Sequence, residues 1–418
     1  MNSIQDLEPA KVKEKTIEDF REYVSSGKVA FWQQFNMDIV IGKREGPYFW
    51  DLDGEKRLFN LHCNGGVYNL GHRNQEIIEV LKDGLNEVDI GNGHLISKAR
   101  ADLARLLADL MPGDLCYTVF GVSGGEAVDL AFKVARGYTG KTKIISAKGG
   151  YHGHTGLALA AGDEKYWAPF GPQLPGFQQV PFDDIDTLAA AMDDDTAAVV
   201  LETIPATLGM PIASKDYFPR VRELCNERKA LLIQDEVQTG LGRSGKLWAF
   251  EHFDIVPDIV VLGKGLSGGI YPITATILRK PIESVFHPDP HIHVSTFGGA
   301  ELGCRVAQRV VEISSSPGFL KHVNDLAQCF AHGIEKLTEK HRILMGLRQL
   351  GLFMGLKMTD ENFGMILALT GYQNDLFMIP ANNDRSVIQL LPPLVMELNE
   401  VDWVLDQLDK ALIAAQKV

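Results

Sequence analysis

Pro257-Asp-Ile-Val-Val-Leu-Gly263-Lys264-Gly265-Leu-Ser-Gly-Gly269 holds an apolar run, Ile259–Leu262, that ends on a lysine fenced by two glycines. The run predicts a short strand, and an amine at its end is aimed at a fixed point rather than left to solvent. Upstream, Ala230–Gln234 is a second such run, and it leads into Asp235-Glu236-Val237-Gln238. Further β-branched runs at Lys143–Ser146 and Ala197–Leu201 alternate with helical stretches between about 75 and 310. Alternation of this kind predicts an α/β fold, a large and mostly parallel sheet covered by helices.

The two strand ends carry complementary chemistry. Pyridoxal phosphate needs a lysine for its internal aldimine and an acid to keep its ring nitrogen protonated, so that the ring can absorb electrons from a substrate carbanion. Lys264 and Asp235 are the expected catalytic residues for those roles. A third stretch, Tyr117-Thr-Val-Phe-Gly121-Val-Ser123-Gly124-Gly125-Glu126-Ala127, reads as strand, glycine-rich turn and helix. Backbone N–H groups at such a helix start, together with the macrodipole, favour an anion, so Ser123, Gly124 and Gly125 are expected at a phosphate.

Competing patterns are present. Gly121-x-Ser123-x-Gly125 also matches the nucleophile elbow of serine hydrolases, with Asp235 and His291 or His293 available in chain order, but that reading leaves Lys264 without a role. Gly140-Lys141-Thr142 fits a relaxed phosphate loop yet follows a helix and precedes a strand, the reverse of the required order. Gly240-Leu-Gly242-Arg-Ser-Gly245 stands too far from its strand and opens no clear helix. His287, His291 and His293 lie in a proline-containing loop without a convincing fourth ligand, so no metal is expected.

At 418 residues the chain exceeds what one core supports, so two domains are expected. Five cysteines without a Cys-x-x-Cys pair argue against a disulfide framework or a zinc site. A net charge of −13 disfavours nucleic acid and anionic lipid as partners. No apolar stretch is long enough to span a bilayer, and the first residues lack the pattern of a secretory signal, so the cytoplasm is the expected location. Residues from about 10 to 28 read as one amphipathic helix, and Asp53-Gly54 as the turn of a hairpin. Past about 315 come a helix (Leu320–Leu337), strands near Leu352–Leu356 and Val387–Leu391, and a closing helix. The expected division is 1–60 as an N-terminal part of a small α+β domain, 61–314 as the large domain and 315–418 as the remainder of the small one.

The stretches Asp235-Glu-Val-Gln-Thr-Gly-Leu-Gly-Arg-Ser-Gly245, Pro257–Gly269 and Ser295-Thr296-Phe-Gly-Gly resemble the class III aminotransferases. These are fold-type I pyridoxal-phosphate enzymes that include ornithine, 4-aminobutyrate and acetylornithine aminotransferases. The resemblance runs from about residue 40 to the end and takes in Asn69-Leu-Gly-His-Arg73 and Leu391-Pro-Pro-Leu394. It implies that Lys264 forms the aldimine and shuttles protons while Asp235 pairs with the pyridine nitrogen. Val237 and Tyr151 would cover opposite faces of the ring, Gln238 would reach the ring hydroxyl, Glu202 would join the hydrogen bonds near Asp235, and Gly124 and Gly125 would hold the phosphate. Thr296 would reach the phosphate bound by the neighbouring subunit, which implies a homodimer with shared active sites.

Departures from the family pattern bear on substrate. An arginine that commonly follows the aromatic-x-Gly turn is replaced by His154, and one that usually precedes the Pro-Pro stretch is replaced by Gln389. The glutamate that masks the second arginine in the ornithine branch is replaced by Thr207. Loss of both partners is coherent, because a buried charge left unpaired costs about 3–5 kcal/mol. Arg73, Arg243 and Arg385 are the candidate substitutes, and Cys63, Asn64, Tyr68, His154 and Gln389 the candidate substrate-pocket residues. The resemblance implies amino-group transfer between an amine or amino-acid donor and a carbonyl acceptor, and these departures point to an acceptor or amine donor that is not an ordinary α-amino acid, for example an ω-amine, an amino sugar or a biosynthetic aldehyde or ketone. Aminomutases, epimerases and phospho-lyases share the scaffold and are the alternative outcomes.

Overall fold

Leu115–Gly121, Thr274–Arg279, Ile259–Leu262, Leu231–Asp235, Thr196–Glu202, Lys143–Ala147 and Phe177–Val180 lie side by side, in that order, in one seven-stranded sheet of the computed structural model, which describes residues 8–418. The first seven residues, part of the 1–60 segment and of the signal-peptide reading, lie outside the described residues. Every residue of the Thr196–Glu202, Leu231–Asp235 and Ile259–Leu262 strands is buried. Alternation sorts them: Val199, Leu201, Leu232, Val260 and Leu262 face one apolar core, while Ala198, Val200, Ile233, Ile259 and Val261 face the other. A sheet covered on both sides reads in sequence as continuous apolar runs, which is why these strands were legible. Thr274–Arg279 departs from the parallel arrangement, pairing antiparallel with both neighbours.

Register positions the chemistry. Glu202 pairs with Asp235 and Asp235 with Val261, so two carboxylates sit together at the carboxyl edge of adjacent parallel strands, just where the chain runs on from Leu262 to Lys264. Open α/β sheets bind ligands along this edge.

A four-stranded antiparallel sheet, Leu344–Leu350, Phe353–Met358, Val387–Leu390 and Ile379–Pro380, forms later in the chain. Its core takes residues from the helices Pro317–Lys340 and Leu398–Ala415 and also Phe59 and Leu61. The predicted hairpin pairs Tyr48–Asp51 with Arg57–Asn60, and Leu376–Phe377 adds to it in parallel. The helix expected over about 10 to 28 is instead two, Pro9–Tyr23 and Ser26–Gln34. Ser25 is extended and its Oγ accepts from the Lys28 N–H at 3.2 Å, a cap that restarts the helix and outweighs the continuous amphipathic pattern.

Candidate active site

The strand Leu115–Gly121 passes through Val122 and Ser123 into the helix Gly124–Thr139. Ser123 is the helix cap: its Oγ accepts from the Glu126 N–H at 3.3 Å, and the Glu126 carboxylate accepts from the Val122 N–H at 2.7 Å. The N–H groups of Gly124 and Gly125 belong to the first turn, where no intrahelical acceptor exists. A Cβ on Gly125 would stand 2.6 Å from Thr155 Oγ1, so the close approach of the 151–155 segment demands glycine there.

That helix start opens on a cavity of about 380 Å³ bordered by Ser123, Gly124, Gly125, Tyr151, His152, Gly153, His154, Thr155, Glu202, Asp235, Val237, Gln238 and Lys264. Every residue expected at the cofactor therefore borders one space, except Thr296, which is exposed on a separate loop. Lys264 Nζ donates to Gln238 Oε1 at 3.0 Å. Burial lowers the Lys264 amine below its ordinary value, against the upward pull of Asp235 and Glu202. Lys264 also has φ +40, a left-handed backbone that side chains other than glycine avoid.

His152 was given no role by sequence reasoning. Its Nδ1 lies 2.8 Å from Asp235 Oδ2, with both side chains buried. Burial opposes a charged imidazole, but the hydrogen bond and charge of Asp235, with the charge of Glu202, raise His152 above its ordinary value. The contact holds Asp235 in place, and Val237 N–H binds the other carboxylate oxygen at 3.1 Å. The available signal was Tyr151-His-Gly-His itself, which brings a histidine to a strand end carrying two acids.

Glu202 accepts from the Tyr151 N–H at 2.9 Å and is pushed up to about 7, by burial first, with His152 opposing and Asp235 reinforcing the rise. A carboxyl raised from 4.5 to about 7 favours the folded state while protonated, so its contribution is present below about pH 4.5 and is lost as pH rises toward 7. Glu202→Gln should therefore remove roughly 3 kcal/mol of the stability lost between about pH 4.5 and pH 7, seen as a flatter dependence of the denaturation midpoint on pH.

A second cavity, of about 780 Å³, borders Asn64 and Tyr68, two of the expected pocket residues, and Arg73. His154 borders the first cavity and makes an aromatic trio with Tyr151 and Tyr166 at centroid distances of 5.2–5.7 Å. Cys63 and Gln389 border neither cavity. The Cys63 thiol is buried against the Asn60 carbonyl at 3.4 Å, and burial pushes it up to about 12; Gln389 is buried within the Val387–Leu390 strand. Arg243, fully buried, spends its guanidinium on the carbonyls of Pro392 and Leu352 and on Asn69 Oδ1, tying the two sheets together. Arg385 is exposed in a loop. Thr207 Oγ1 donates to the Gly149 carbonyl at 2.7 Å.

The hydrolase alternative has no assembled triad, since Asp235 is bonded to His152 while His293 meets Lys133 Nζ at 2.9 Å and His291 stacks near His94. Lys141 binds the carbonyls of Arg228 and Lys229, beside the end of the helix and not at a helix start.

Comparison with known proteins agrees with this geometry. The family model for class III aminotransferases matches residues 31–412. An uncharacterized aminotransferase of Archaeoglobus fulgidus is 53% identical over 406 residues, covering 97% of this chain and 96% of that one. The ornithine aminotransferase of Toxoplasma gondii superposes with a TM-score of 0.88 at 26% identity, covering 97% and 96% of the two chains. Acetylornithine aminotransferase of Elizabethkingia anophelis does so with 0.81 at 27%, covering 96% and 99%. With Lys264, the strand-end acids and the glycine-bounded helix start around one cavity, the chain belongs to the class III aminotransferases, enzymes of fold type I that depend on pyridoxal phosphate.

Proposed function

We propose that this chain transfers an amino group between an amine donor and a carbonyl acceptor at Lys264. The single observation that supports it is the 380 Å³ cavity, which has the Lys264 amine, the Asp235–His152 pair and the N–H groups of Gly124 and Gly125 on its walls. The donor set fits the cofactor: first-turn N–H groups for a phosphate, a carboxylate for a protonated ring nitrogen, an amine for the aldehyde, and Val237 and Tyr151 for the ring faces.

Bound pyridoxal phosphate supplies an electron sink for a substrate carbanion. Gly124 and Gly125, with Ser123 beside them, would hold the phosphate. Asp235, braced by His152, would keep the proton on the ring nitrogen, and Gln238 would hydrogen-bond the ring hydroxyl. Glu202 would hold the Tyr151 backbone and with it the aromatic wall. Lys264 Nζ, its amine basicity lowered by burial, would take the Cα proton as general base and return it at the neighbouring carbon. The large domain would span 61–314 and the small one 1–60 with 315–418. The active unit would be a cytoplasmic homodimer in which Thr296 of the partner subunit completes the phosphate site. Among the described residues no helix is long and apolar enough to cross a membrane.

With His154 and Gln389 at the usual arginine positions and Arg243 committed to carbonyls, the favoured substrate is not an ordinary α-amino acid but an ω-amine, an amino sugar or the matching aldehyde or ketone. The test is the visible spectrum of the purified protein before and after single amines, amino acids and amino sugars. A band near ~410–430 nm that one ω-amine or amino sugar discharges is the expected result. Efficient discharge by alanine or glutamate would overturn the substrate reading, and a protein that gains no band with added pyridoxal phosphate would overturn the site. Release of phosphate with ammonia would instead identify a phospho-lyase.

A further inference from the structure

Thr155 borders the 380 Å³ cavity, and the chemistry above gives it no part. It stands at the cap position of the helix Gly156–Ala161 with an extended backbone, φ −87 and ψ 165. A threonine hydroxyl at such a position ordinarily accepts from the second or third N–H of its own helix. Here it does not: Asp129, reaching across from the helix Gly124–Thr139, accepts from the Ala158 N–H at 2.6 Å and does the capping in its stead. Thr155 Oγ1 is left without the bond that its place in the chain would give it.

The freed hydroxyl packs on the helix start expected at the phosphate. A Cβ built on Gly125 would stand 2.6 Å from Thr155 Oγ1, 3.1 Å from its Cγ2 and 3.4 Å from its Cβ, and no other residue comes as near. Glycine at 125 thus makes room for this one side chain. Gly153, with φ +126, brings the same segment closer still, since a Cβ there would meet Gly125 Cα at 2.6 Å.

The charges on the cavity wall decide what such a hydroxyl is worth. A phosphate monoester carries roughly −1.5 to −2 charge near neutral pH. No arginine borders the cavity, its only lysine is Lys264, which serves the aldehyde, and Glu202 and Asp235 add negative charge of their own. The anion must therefore be held by neutral donors. Those are the N–H groups of Gly124 and Gly125 and the hydroxyls beside them, of which Ser123 Oγ is already held by the Glu126 N–H.

We propose that Thr155 Oγ1 donates a hydrogen bond to the phosphate of pyridoxal phosphate, and that Asp129 frees it to do so by capping Gly156–Ala161. The segment Tyr151–Thr155 then holds the cofactor at two places, the ring face and the phosphate. Thr155 is a binding residue for the cofactor and takes no part in proton transfer. The inference rests on the placement of the cofactor against Lys264.

The test compares pyridoxal phosphate with pyridoxal, which has the same ring and aldehyde but no phosphate. Each is titrated into the full chain stripped of cofactor, in phosphate-free buffer, and followed by the band near ~410–430 nm. Thr155→Val keeps the shape and removes the hydroxyl. It should weaken pyridoxal phosphate by about tenfold or more, the loss expected of a charge-assisted hydrogen bond, and leave pyridoxal unchanged. Thr155→Ser should restore most of the affinity. The denaturation midpoint of cofactor-free Thr155→Val should match wild type, because Asp129 and not Thr155 caps the helix, whereas Asp129→Ala should lower it. Equal affinity of wild type and Thr155→Val for pyridoxal phosphate overturns the proposal, as does a loss that pyridoxal shares or that serine does not restore. A wild type that forms the band with neither aldehyde refutes the placement of the cofactor itself, while a band without a selective loss in Thr155→Val refutes the Thr155 contact alone.

Discussion

Lys264→Ala should leave a folded protein with less than about one part in 10⁴ of wild-type turnover, the scale of loss when a residue acts directly on the reacting atoms. No band near ~410–430 nm should survive dialysis, because no amine remains in the cavity to hold the aldehyde. Stability should not fall with activity. The substitution removes an amine that burial disfavours in its charged form, and alanine inherits the same φ of +40. Lys264→Gly separates the two effects: it should be equally inactive but more stable than Lys264→Ala by roughly 1–2 kcal/mol, since glycine adopts the left-handed backbone without the steric cost. Turnover with the best donor and chemical denaturation of all three proteins check this. Substantial turnover in either variant would remove Lys264 from the chemistry, and equal stability of the two would show that its backbone is not strained.

The second large effect is at Asp235. Asp235→Asn keeps the shape and a hydrogen-bonding group beside His152 but removes the negative charge, and turnover should fall by about 10²–10³ as charge stabilisation at the reacting system is lost. Asp235→Ala should be worse in a different way, because it leaves His152 buried without its partner. A broken buried ion pair costs about 3–5 kcal/mol, and His152 Nε2 already lacks a hydrogen-bond partner. The pH dependence has a definite sign. His152 is raised in the folded state, so its stabilising contribution is complete below its unfolded value near 6.5 and is lost as pH rises through the higher folded value. Asp235→Asn should abolish that contribution, so denaturation midpoints of wild type and variant should converge as pH rises above the folded value. A constant difference between them across that range would mean that His152 is neutral in the wild type.

What made the core strands legible was burial on both sides. Ile259–Leu262 and its neighbours had to be apolar at every position, and an apolar run stands out in any composition. Glycine marked the helix start at the cavity for a comparable reason, since a Cβ on Gly125 would stand 2.6 Å from Thr155 Oγ1 and something would have to shift. The short N-terminal helices were misread because a single serine cap at Ser25 outranks a weak amphipathic pattern. Thr274–Arg279 passed unnoticed as an antiparallel strand because strand direction is decided by connections, not by side chains.

The sequence by itself determined the architecture and the family, and it singled out the lysine, the acid and the glycine-bounded helix start that border one cavity, because each is tied to a local backbone requirement or to a run of buried residues. Only the tertiary structure decided which groups meet. His152 gains its role from a 2.8 Å contact with Asp235 across 83 positions of chain, and Glu202 is raised to about 7 by its burial first, with Asp235, beside it in strand register, adding to the rise. Among the three candidate arginines, folding commits Arg243 to carbonyls and leaves Arg385 and Arg73 exposed, Arg73 at the edge of the 780 Å³ cavity. Contacts between distant segments depend on how sheets and turns pack, and residue identity alone does not encode them position by position.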